Sequence, residues 1–116
     1  MSKRFDTTLL SDIILNLEMV LQFSQEHSFQ SFSADIKTQY AIDRCFEIIG
    51  EASRNLSEEF ILQNTNIEWH KMAAFRNVLI HEYFRVDRNI QWNIIQNTLP
   101  AILTEIKVLL NNSSHH

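Results

Sequence analysis

With one glycine, one proline and one cysteine in 116 residues, the chain lacks the turn residues that hairpin-rich sandwiches, barrels and Gly-loop phosphate sites require. A hydrophobic share of 45% and a charged share of 21% exclude a disordered chain, and no run reaches the roughly 18–20 apolar residues of a transmembrane helix. The net charge of −4 argues against non-specific coating of nucleic acid. The opening residues are basic but interrupted by Asp6 and Asp12, which does not read as a signal peptide.

Residues 8–26 place Leu10, Ile13, Ile14, Leu17, Val20 and Leu21 at spacings of three and four, which predicts an amphipathic helix with Asp6 or Thr7 as its cap. The Ser-rich stretch 27–35 reads as a connection. A second helix is expected from Ser33 to Asn55 or Leu56, with Ala41, Cys45, Ile48, Ile49, Ala52 and Leu56 on one face. Tyr40, Arg44, Glu47 and Glu51 share a separate polar face, and Gly50 reads as a close approach of another helix. Ser57 before Glu58 and Glu59 predicts a cap and a short helix to about Gln63. A further helix is expected from Ile67 to His81. After it HEYFRVD breaks the periodicity, and Asp87 caps a helix carrying Ile90, Ile94 and Ile95. Pro100 suits the first turn of a last segment, 100–111. The expectation is an all-α protein, an antiparallel bundle of four to five helices. It forms a single domain over 1–112, and 113–116 are a frayed tail whose His115 and His116 take no metal role. A single cysteine cannot form an internal disulfide, which fits a reducing cytoplasm.

The helix 68–81 carries most of the chemical interest. On a wheel, Trp69, Met72, Ala73, Leu79 and Ile80 form an apolar arc with Arg76 in its middle. An arginine there either snorkels outward, meets an acid such as Glu47 or Glu51, or meets a phosphate. The flank carries His70, Ala74, Asn77 and His81 in one stripe, so the Asn77 amide can reach the His81 ring and fix its tautomer. A lone histidine at a helix end, as His81 is, is more often a C-terminal cap than a catalyst. Residues 71–88 hold a net of +2, leaving −6 on the rest of the chain. Histidine, arginine and tyrosine crowded together suit chemistry on a phosphodiester: the imidazole moves protons near neutral pH, and guanidinium groups hold non-bridging oxygens. Metal-ligand spacings and nucleophilic triads are absent from the sequence, and Cys45 falls on an apolar face.

The string RNVLIHEY, from Arg76 to Tyr83, resembles the signature of HEPN-domain toxins of the HepT-like group. The similarity extends in order through AIDRCFEIIGEASRNLSEEF (41–60), IEWHKMAAFRNVLIHEYFRVD (67–87), Trp92 and Leu99–Pro100. The resemblance implies an all-helical two-fold homodimer acting as the toxin of a type VII-like toxin–antitoxin system. Its activity would be metal-independent RNA cleavage through the 2′-hydroxyl, with no cofactor. It assigns catalysis to Arg76 and His81, with Asn77 inside the motif. It also implies a cognate nucleotidyltransferase antitoxin that silences the toxin by adding AMP to Tyr83. Under this reading Lys71, Arg85 and Arg88 are either phosphate contacts or solvated surface charges. A non-catalytic subunit that binds nucleotide or substrate for the nucleotidyltransferase predicts the same fold and residues. Geometry bears on the dimer: on a straight helix Arg76 and His81 point about 140° apart, so two copies meeting at the motif would supply one cleft with two histidines and two arginines.

Overall fold

The computed structural model describes the backbone of residues 3–81 and 87–114, and the side chains of residues 5–75 and 87–112. Among these the elements are all helical: α1 Lys3–Gln25, α2 Phe29–Ala34, α3 Ile36–Arg54, α4 Glu58–Gln63, α5 Trp69–His81, α6 Arg88–Asn97 and α7 Leu99–Ser114. Five longer helices form the bundle, and α2 and α4 are short links of six residues each. Helix α3 lies between α1 and α5. Helix α7 packs on α1, and α6 packs on α7.

The core follows the expected periodicity. Leu10, Ile13, Leu17 and Val20 of α1 are fully buried, facing Ile42, Cys45, Phe46 and Ile49 of α3. Each such aliphatic side chain contributes about 1.5–3 kcal/mol when removed from water. On α5 the buried positions are Trp69, Met72 and Phe75, so Phe75 joins an arc from which the wheel had omitted it. Its ring lies 5.1 Å from that of Phe46. Gly50, one turn beyond Phe46, is buried too, as a close helix approach requires. The Trp69 indole N–H donates to the Asn64 carbonyl at 2.8 Å, which closes the turn before α5.

Three local expectations are corrected. First, α1 begins at Lys3, so Asp6 lies inside its first turns rather than at its cap. The Asp6 carboxylate is 5% exposed and instead accepts from the Ser57 N–H at 2.8 Å and the Ser57 hydroxyl at 2.6 Å. Second, the stretch read as a connection holds α2, because Ser28 and Ser31 form a reciprocal capping box and Phe32 is wholly buried. Third, α3 starts at Ile36 rather than Ser33: Asp35 is its N-cap, accepting from the Thr38 N–H at 3.1 Å and the Thr38 hydroxyl at 2.9 Å. Gln39 joins the two helices by donating to the Phe32 and Ser33 carbonyls, each at 2.9 Å. Ser57 and Asp87 cap α4 and α6 as expected, and Pro100 falls in the first turn of α7.

Candidate functional site

Helix α5 carries the Arg76-to-His81 string in its second half. Its first half supplies core side chains, but His70 and Lys71 are exposed, with the Lys71 ammonium 3.0 Å from Glu68. The backbone stays helical through His81, so the register of the second half is fixed. Position 76 falls four residues after buried Met72 and seven after buried Trp69. Positions 77 and 81 continue the line of exposed His70 and half-buried Ala74. Among the described side chains of α5, Trp69, Met72 and Phe75 mark the core-facing side, and His70 and Lys71 mark the exposed one. The side chains of Arg76, Asn77 and His81 lie outside the described residues, as do Tyr83 and Arg85 entirely.

The acids considered as partners for Arg76 sit on the outer stripe of α3. Tyr40 is 68% exposed on this stripe, and Arg44 reaches the Glu47 carboxylate at 3.5 Å. Asn55 donates to the Glu51 carbonyl at 2.8 Å and to its carboxylate at 3.4 Å. Glu47 and Glu51 join Asp12 and Arg44 in lining a groove of about 390 Å³ between α1 and α3. Three carboxylates against one guanidinium make this groove a poor host for phosphate. The Cys45 thiol, next to Arg44 in sequence, is pushed above its ordinary range by burial and only partly drawn back by that guanidinium. It remains a protonated core group, not a nucleophile.

Arg88, considered as a phosphate contact, directs its guanidinium inward. One nitrogen lies 2.6 Å and the other 3.1 Å from the two Asp43 oxygens. The first nitrogen also donates to the Gln91 amide oxygen at 2.8 Å, while the Gln91 amide nitrogen donates to Asp43 at 2.9 Å. The Arg88 and Asp43 side chains are only 20% and 18% exposed, and Gln91 is 2% exposed. Sequence reasoning missed Asp43 and Gln91. The i,i+3 spacing of Arg88 and Gln91 is a local signal, but nothing local links either to Asp43.

Fold and register together define a class: an all-helical domain presenting an arginine-to-histidine motif at the end of a central helix. The chain belongs to the HepT-like ribonuclease family of the HEPN superfamily; the family model described as "Ribonuclease HepT-like" matches residues 13–109. A "Putative RNase" of Methanocaldococcus jannaschii is 37% identical over 97% of this chain and 93% of its own. A "Probable ribonuclease HepT" of Thermococcus cleftensis is 39% identical over 86% of this chain and 91% of its own. A second M. jannaschii "Putative RNase" is 35% identical over 94% of this chain and all of its own. No solved structure matches the chain at a significant level. No helix among the described residues is long and apolar enough to cross a membrane.

Proposed function

We propose that this chain is a metal-independent endoribonuclease and the toxin of a toxin–antitoxin pair acting in the cytoplasm. Family membership across residues 13–109 carries the reading, because the matched span includes α5 with its Arg76-to-His81 string on unbroken helical backbone. In the proposed reaction, one His81 takes the proton from a ribose 2′-hydroxyl, whose oxygen attacks the adjacent phosphorus. Arg76 holds the charge that develops on the phosphorane oxygens. A second His81, from the other copy of a two-fold dimer, protonates the departing 5′-oxygen. Asn77 orients the imidazole, and Lys71 and Arg85 hold flanking phosphates. The products are a 2′,3′-cyclic phosphate and a 5′-hydroxyl.

The partner is a nucleotidyltransferase antitoxin that adds AMP to Tyr83. Two residues beyond His81 in sequence, an added AMP brings bulk and negative charge that oppose an RNA phosphate. The testing experiment incubates purified wild-type and His81→Ala chains with RNA in excess chelator. Fragments from wild type alone are expected. No cleavage by unmodified wild type contradicts the proposal and leaves the non-catalytic binding subunit as the reading.

A further inference from the structure

We propose that Asp43, Arg88 and Gln91 are positioning residues for the motif borne by α5, an assignment that rests on the ribonuclease reading above. Arg88 is the first residue of α6 and follows the N-cap Asp87, whose carboxylate accepts from the Asn89 N–H at 3.0 Å and the Ile90 N–H at 3.3 Å. The guanidinium grips both oxygens of Asp43, and Gln91 bonds to each partner, so the three side chains close a ring. A bidentate pair of this kind fixes orientation as well as distance. At about one-fifth exposure, removing either partner leaves a poorly solvated charge.

The position of this ring gives it its role. Asp43 lies one turn before Phe46 on α3, and the Phe46 ring packs on Phe75 of α5. A single stretch of α3 thus fastens α5, which ends at His81, through an aromatic contact. The same stretch fastens α6, which begins at Arg88, through an ion pair. Helix α5, through Phe75, and the beginning of α6, through Arg88, are thus referenced to one element, α3. Arg88 serves by holding α6 in place rather than by meeting RNA.

Steady-state cleavage by the full chain tests this across a range of salt concentrations. Asp43→Asn keeps the shape of the side chain and removes its charge, while Arg88→Gln removes the other charge. Both are expected to lower kcat on the order of 10–10²-fold, as misplacement of a reacting group does. KM and its salt dependence stay as in wild type, and the double variant is no worse than either single one. Arg88→Lys keeps the charge but loses the fork, and falls between. Thermal unfolding establishes that each variant is folded, and this milder variant decides the matter if the others are not. Wild-type turnover in folded Asp43→Asn, or in Arg88→Lys where that variant must decide, overturns the assignment while leaving the ribonuclease reading intact. A raised KM in Arg88→Gln, with a log–log salt slope about one unit shallower and Asp43→Asn unaffected, makes Arg88 a phosphate contact and overturns it as well. Absence of cleavage by the wild-type chain overturns both readings together.

Discussion

Asp6 and Asp43 each tie the start of a distant helix to the body of the bundle, and they do so with different chemistry. Asp6 takes its bonds from a neutral serine, Ser57, at the N-cap of α4. Asp43 takes them from a cation, Arg88, at the first turn of α6. Asp6 is almost wholly buried while its partner Ser57 is half-buried, and this junction lies far along the chain from the motif. The Asp43 junction is partly open and lies just after it. A serine cap suffices where only the fold must be held. A charged fork adds fixed orientation at a helix that follows the motif in the chain, and it keeps an arginine that could attract phosphate engaged internally.

The largest effect that separates site from scaffold is expected from His81→Ala. If His81 is the proposed general acid/base, cleavage falls by roughly 10²–10⁴-fold while the melting temperature stays near wild type. A large drop in melting temperature would instead mark His81 as a structural cap. Asp6→Ala should do the reverse. Leaving the half-buried Ser57 donors unmatched costs at most about 1–3 kcal/mol, read as a lower denaturation midpoint, with kcat of the folded fraction unchanged. If kcat falls with the stability, the two junctions are not separable.

Asp87→Ala removes the cap of α6 and should cost about 1 kcal/mol. Because α6 is also held by Arg88, its effect on cleavage should be smaller than that of Asp43→Asn. The smallest effect is a pH dependence at Asp35. Bonds from the Thr38 N–H, then from its hydroxyl, hold this exposed carboxyl below its ordinary 3.8, outweighing slight desolvation, with a lesser contribution from His27. A lowered folded value means the stabilisation is complete above that range and is lost as pH falls through the folded value. Protection of the Thr38 amide, taken relative to its intrinsic exchange rate at each pH, should therefore fall only in acid below the ordinary carboxylate range and stay constant near neutral pH.

The sequence made legible whatever depends on near neighbours. Ser57, Asp87 and Pro100 announce helix starts through their own backbone preferences, and the core faces of α1 and α3 follow from spacings of three and four. The short α2 was hidden because its capping box pairs two serines rather than a serine with a glutamate, and six residues are too few to display a period. Asp6 was misread because its partner is 51 residues away. Asp43 was missed for the same reason, with 45 residues separating it from Arg88. The motif at the end of α5 was readable as a string. Which side of α5 meets the core is a property of the register, shown by the burial of Trp69, Met72 and Phe75.

The most direct measurement is the chemistry of the cut ends, made on RNA fragments released by the wild-type chain in excess chelator. Side-chain catalysis through the 2′-hydroxyl predicts a 2′,3′-cyclic phosphate on one fragment and a free 5′-hydroxyl on the other. Fragments ending in a 3′-hydroxyl and a 5′-phosphate would mean that water, not the ribose, attacks phosphorus, and would contradict the account.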